Sequence, residues 1–172
     1  MNLSLPPLLG SLLLFSFALP AAAGSPPSVH MLMPAADLTR ISSGFGNRHD
    51  GFHPGIDLAA RYGSPVRAAL AGTIVYAGWD GDYGKLVALR SDSGIVTRYA
   101  HLSRIVQQVV VGSRVKEGEM LGRVGATGRA SGPHLHFEVR VHHMPVDPAP
   151  FLALGEQRAE VWAKMAEAPP QR

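Results

Sequence analysis

From Ile41 onward, no apolar run in this chain goes far before a glycine or a polar turn interrupts it. The runs read SPVRAALAGTIVYAGWD (64–80), GKLVALRS (84–91), GIVTRYAHLS (94–103), GSRVKEGEMLGRVGATG (112–128) and PHLHFEVRV (133–141). Within them Val, Ile, Leu and Tyr alternate with polar residues. That period of two suits half-buried strands and leaves no room for a core helix. The 19 glycines and 14 prolines supply the turns such a chain needs. SDSG at Ser91–Gly94 predicts a hairpin turn, GWDGDYG at Gly78–Gly84 a longer one, and His142-His143 a further turn. The expected fold is all-β, a compact antiparallel sandwich or barrel-like domain over residues 37–152. One segment reads differently. EQRAEVWAKMAE (156–167) carries good helix formers and stops before Pro169-Pro170, which predicts a short C-terminal helical tail within 153–172.

The N-terminus carries an apolar run of about a dozen residues, Leu8 to Leu19, too short to span a bilayer comfortably. Ala21-Ala22-Ala23 then offers a small-residue cleavage pattern. Residues 1–23 are read as a secretory signal peptide, although no Lys or Arg precedes the apolar run. Residues 24–36, rich in Ser, Pro and Ala, are read as a flexible linker. The expected product is exported, to the periplasm, the cell envelope or the medium, with no stable membrane anchor once the signal is removed. The absence of cysteine excludes disulfides, thiolate metal sites, a cysteine nucleophile and a lipid anchor on an N-terminal Cys. The net charge of +3 is spread along the chain, which gives no support to a nucleic-acid partner.

Three stretches can carry chemistry. In PHLHFE, His134 and His136 stand two apart in a predicted strand, so both imidazoles share one face. They are either a hydrogen-bonded structural pair or two groups converging on one small object. In FHPGIDLAA, His53 and Asp57 are four apart around a Pro-Gly bend, and two imidazoles with one carboxylate form a known catalytic zinc shell. A turn-capping Asp57 and a loop His53 are the alternative readings, and His49 is a rival ligand. His101, in TRYAHLS, is a surface residue or, beside a metal, a proton handler with an ordinary pKa near 6.5. Glu138 shares the face of His136 and is either an acceptor for that imidazole or a surface strand residue. Trp79, Tyr83, Asn47 and Arg48 fit either a groove lining or ordinary packing. Gly125, Gly128 and Gly132 do not match a phosphate loop and read as a turn.

Taken in order, SSGFGNR, FHPGIDLAA, GSPVRAALAGTIVYAGW, YGKLVALR, RYAHLS, VKEGEMLGRVGATGRASGPHLHFEVR and PVDP resemble the lysostaphin/LytM-type zinc metallopeptidases, which cut peptide bonds in bacterial peptidoglycan. The resemblance covers about Ile41 to Pro148. It implies that His53, Asp57 and His136 bind one Zn²⁺ per chain, and that His101 and His134 are catalytic without binding metal. All five positions carry the expected residue type. The implied activity is a zinc-dependent endopeptidase acting on peptidoglycan cross-links, stems or bridges, as a monomer. Two alternatives stand beside it: a non-catalytic peptidoglycan-binding regulator on the same fold, and a secreted protease for Gly-rich proteins. Only His49 to Phe52 separate GFGNR from His53, which implies a more open cleft than in many relatives.

Overall fold

The structure, a computed structural model, describes residues 29–152 except 36 and 50. The expected signal peptide and the helical tail at 153–172 lie outside the described residues. In chain order the strands are β1 (Arg40–Ser43), β2 (Gly46–Arg48), β3 (Gly51–His53), β4 (Ile56–Ala59), β5 (Pro65–Arg67), β6 (Gly72–Asp80) and β7 (Gly84–Arg90). They continue as β8 (Val96–Leu102), β9 (Arg104–Ile105), β10 (Arg114–Val115), β11 (Met120–Arg123), β12 (His134–Val141) and β13 (Met144–Val146). A single turn of helix, α1 (Ala149–Leu152), follows. The main sheet runs β1-β4-β12-β8-β7-β6-β10, with β13 also on β12; β5-β11-β9 and β2-β3 form smaller sheets. The strand pairs are antiparallel. The all-β, antiparallel fold expected from the glycine-punctuated sequence is the fold observed.

The turns follow their local chemistry. At the β7–β8 hairpin Gly94 N–H donates to Ser91 C=O (3.0 Å), and Gly94 takes the left-handed backbone the turn requires. The Gly78–Gly84 turn is shorter than the sequence suggested. Gly78, Trp79 and Asp80 stay in the ladder opposite Leu86, Lys85 and Gly84, and a 3-10 turn at Gly81–Tyr83 alone reverses the chain. Residues 29–35, expected as part of a linker, instead lie on the core. Met31 and Ala35 are buried, Met31 N–H donates to Phe151 C=O (3.0 Å), and Leu32 N–H to Ala69 C=O (3.0 Å). Four apolar side chains, Val29, Met31, Met33 and Ala35, and a row of satisfied backbone groups give this short segment reason to order.

β12 sits at the centre of the main sheet, flanked by β4 and β8. Leu135, Phe137 and Val139 point one way, into the apolar core, and are fully buried. His134, His136, Glu138 and Arg140 point the other way. Beneath the strand, Tyr99 of β8 packs its ring 5.4 Å from that of Phe137 and is itself fully buried. Its hydroxyl accepts from Ala69 N–H (2.8 Å) and shares a hydrogen bond with Thr97 Oγ1 (3.0 Å). Burial pushes the Tyr99 hydroxyl up to about 12, against the smaller pull of those two bonds.

Because the folded protein holds Tyr99 neutral to higher pH than the unfolded chain, its contribution is complete below about pH 10. It is lost as pH rises toward 12. Tyr99→Phe leaves the Ala69 N–H without its acceptor and is expected to cost about 1–3 kcal/mol at neutral pH. The same change should flatten the fall in stability between pH 10 and 12, measured by urea unfolding across that range.

Candidate metal centre

β3 ends on His53, and β4 begins two residues after Pro54. Between them, Gly55 lies so close to β12 that a Cβ there would stand 2.3 Å from the Phe137 carbonyl oxygen. Only glycine lets this bend pass over the strand. The bend sets His53 beside Asp57, and the β4–β12 register sets Asp57 directly opposite His136. Three atoms meet there. Asp57 Oδ1 is 2.9 Å from His136 Nδ1 and 3.1 Å from His53 Nε2, and the two nitrogens are 3.0 Å apart. His53 and His136 are buried, and Asp57 retains only 15% of its side-chain exposure.

The outer atoms of these ligands fix which nitrogen faces inward. His53 Nδ1 lies 2.6 Å from the Gly44 carbonyl oxygen, which can only accept, so Nδ1 carries the proton and Nε2 presents its lone pair. His136 is turned the other way: Nε2–H donates to Glu138 Oε1 (3.2 Å), leaving the Nδ1 lone pair facing the cluster. Two lone pairs and a carboxylate oxygen thus face one another at contact distance, an arrangement that a cation resolves. A tetrahedral zinc with bonds of about 2.0–2.1 Å separates its ligand atoms by roughly 3.3–3.4 Å, close to the spacing seen. Among the described residues, this His53–Asp57–His136 group is the cluster able to hold a metal ion. Electrostatics favour positive charge at the same place. Without a cation, burial would raise the Asp57 carboxyl, but any proton taken up on the facing nitrogens of His136 and His53 outweighs it and holds Asp57 well below the usual carboxylate range. Burial would lower His136, but Asp57 and Glu138 on either side draw it upward instead.

Glu138 is no surface residue. It is fully buried, and its carboxylate accepts from His136, from Arg140 Nε (2.7 Å) and from Arg98 Nη1 (3.5 Å). Burial opposes its ionisation, yet His136, Arg140, the Tyr83 hydroxyl and Arg98 hold its pKa down to about 2. Arg98 in turn lies 4.2 Å over the Tyr83 ring and reaches Asp80 (2.9 Å). Tyr83 therefore belongs to both the cleft and this charged layer. Arg140 was open to detection in sequence, two residues from Glu138 on the same face; Arg98 comes opposite Glu138 only through the β8–β12 register.

Across the cluster stand the other two histidines, their rings 4.7 Å apart. His101, the penultimate residue of β8, has φ of 59°, a left-handed backbone that a non-glycine residue rarely adopts. Its Nδ1–H donates to Thr127 C=O (2.8 Å), and that of His134 to Gly132 C=O (2.9 Å). Each Nε2 is thereby left with a lone pair, and His134 Nε2 stands 3.7 Å from Asp57 Oδ1. Burial lowers the His101 pKa, with His134 and His136 adding to the effect against the Thr127 carbonyl. All five residues line one cleft of about 660 Å³. One wall is the β2–β3 hairpin with Arg48 and Phe52; the other joins Asp82 and Tyr83 to the Gly128–Ser131 loop. That loop docks backbone to backbone: a Cβ on Gly128 would lie 2.3 Å from Asp82 C=O, and Arg129 N–H donates to the same oxygen (2.7 Å). Gly125 allows a second close approach, to the Ser103 backbone, while Gly132 has open space around it. His49 is exposed and outside the cluster, and His142 and His143 form the exposed β12–β13 turn.

Glu138→Ala removes the acceptor shared by His136 and two guanidiniums. The expected loss is about 2–4 kcal/mol in urea unfolding. This is below the cost for a wholly buried pair, because Arg98 and Arg140 stay 14% and 27% exposed. Glu138→Gln, which keeps one acceptor oxygen, should lose less.

The sequence from 51 to 148 matches the model of peptidase family M23. DD-carboxypeptidase/endopeptidase Mpg of Neisseria meningitidis serogroup B is 47% identical over 116 residues, covering 64% of this chain and 26% of that protein. Peptidoglycan DD-endopeptidase ShyC of Vibrio cholerae is 36% identical over 121 residues, 65% of this chain and 27% of its own length. The chain thus spans about a quarter of the length of these relatives. Among solved structures, a zinc containing peptidase from Vibrio cholerae superposes with a TM-score of 0.61 at 33% identity, over 73% of this chain and 39% of that one. With its family-wide match falling on the residues that build the cleft, this chain belongs to peptidase family M23.

Proposed function

We propose that the protein is an exported zinc-dependent endopeptidase that hydrolyses peptide bonds in bacterial peptidoglycan. The observation that carries this reading is the convergence of His53 Nε2, Asp57 Oδ1 and His136 Nδ1, with His101 and His134 facing them across one cleft. The relatives named as endopeptidases, one of them of peptidoglycan, support the substrate class. The signal-like N-terminus supports export, and among the described residues no helix is long and apolar enough to cross a membrane.

In this reading His53, Asp57 and His136 hold one zinc ion. Zinc bound there supplies Lewis acidity toward a scissile carbonyl and lowers the pKa of water from about 15.7 toward roughly 7. The protein's own groups do the rest. Asp57 offsets the charge of the cation, and Glu138 keeps His136 presenting Nδ1. His101 and His134 are tied at Nδ1 to backbone carbonyls, so neither ring can turn its protonated nitrogen to the cleft. Their Nε2 atoms carry the proton work: one receives a proton from the attacking water, and an Nε2 so protonated then gives its proton toward the leaving amine or the developing oxyanion. The low pKa of His101 keeps its Nε2 able to accept a proton at neutral pH. The peptide lies along the cleft between the hairpin wall and the Gly128–Ser131 loop.

Purified protein incubated with sacculi, with metal content measured and released fragments identified by mass spectrometry, tests this reading. About one zinc per chain and release of peptide fragments are expected. His136→Ala should lose zinc and activity together. His101→Ala and His134→Ala should keep zinc and lose turnover by roughly 10²–10⁴-fold. Zinc binding without release from any sacculus would leave a peptidoglycan-binding regulator as the better reading, and loss of zinc in His101→Ala would overturn the division of labour among the histidines.

A further inference from the structure

Asp57 divides its two oxygens. Oδ1 faces the two ligand histidines, while Oδ2 accepts a hydrogen bond from Arg48 Nη2 (3.0 Å). The same guanidinium nitrogen abuts His53 Nδ1. That atom cannot both donate to Gly44 and accept from Arg48, and Arg48 already has Asp57 Oδ2 as its acceptor. Arg48 therefore braces the aspartate while packing against the histidine. It comes from β2, paired opposite Gly51 of β3. About one third of its side chain remains exposed, where it lines the cleft.

A carboxylate beside a metal ion can bind through one oxygen or through both, and the second mode takes up a coordination position. Zinc accommodates either, expanding from four ligands to five. An arginine holds one oxygen of a carboxylate well, because its planar fork is always charged and fixes direction as well as distance. We propose that Arg48 is a positioning residue that restricts Asp57 to one-oxygen ligation and so keeps a position at the metal for water and substrate. The inference rests on the zinc reading above and adds to it a residue that touches two of the three ligands without binding metal.

Cobalt-substituted protein reports the point directly, since four-coordinate Co²⁺ absorbs visible light much more strongly than five-coordinate Co²⁺. Arg48→Met keeps the apolar stem and removes the charge; Arg48→Ala removes both. In each, the visible absorption of the Co²⁺ form is expected to fall at least about twofold. Zinc affinity in competition with a chelator should weaken by roughly 10–100-fold, the usual effect of losing an outer partner of a ligand. Arg48→Lys should restore much of both. Wild-type absorption and wild-type zinc affinity in Met and Ala variants that keep the far-UV circular dichroism of the parent would overturn the proposal. A parent protein that takes up neither Co²⁺ nor Zn²⁺ stoichiometrically would instead overturn the zinc reading, and this inference with it.

Discussion

The cross-strand pair of Asp57 and His136 is the constraint on which the rest of the site depends. Because side chains alternate along a strand, a slip of one residue between β4 and β12 would turn His136 into the core and bring Leu135 to the cleft. The register is held from the other face. Leu135, Phe137 and Val139 are fully buried, each worth about 1.5–3 kcal/mol against exposure. Gly55 adds a steric condition, since any side chain there would strike the Phe137 carbonyl. The apolar core on the opposite face thus fixes where the imidazole and the carboxylate meet.

The polar face of β12 carries the opposite burden. Burying His136 and Glu138 without partners would cost several kcal/mol. The cost is offset by a chain of contacts running from Asp57 through His136 and Glu138 to Arg140, Arg98, Asp80 and the Tyr83 ring. Each charge has an opposite neighbour, and the outermost members reach solvent. Arg48 extends the same logic to the hairpin side, so the cluster is braced from behind by a carboxylate and from the front by a guanidinium. A cluster held this firmly would need little rearrangement to accept a cation.

Much of this was legible in the sequence, because it depends on local spacing. The period-two runs and the glycine turns announced antiparallel strands, and His134 and His136 had to share a face once a strand was assumed. The resemblance of the ordered motifs then pointed to His53, Asp57 and His136 as a group, and the fold brings those three together. What local spacing could not show depends on pairing. Glu138 was ambiguous until β8 and β4 were seen to enclose β12. Arg98 reaches it only through the β8 register, and the grip of Arg48 on Asp57 depends on how the β2–β3 hairpin folds back. Residues 29–35 were read as a linker because the 24–36 stretch is rich in Ser, Pro and Ala, yet Met31 and Ala35, with Val29 and Met33 packed beside them, seat this part on the core.

A crystal of the zinc-loaded protein, with anomalous scattering recorded at the zinc edge, addresses the centre most directly. One peak is expected within bonding distance, about 2.0–2.2 Å, of His53 Nε2, Asp57 Oδ1 and His136 Nδ1, with His101 and His134 beyond reach of the ion. A peak bonded to His101 or His134, or placed away from Asp57, would contradict the division of the five residues into three that hold the metal and two that move protons.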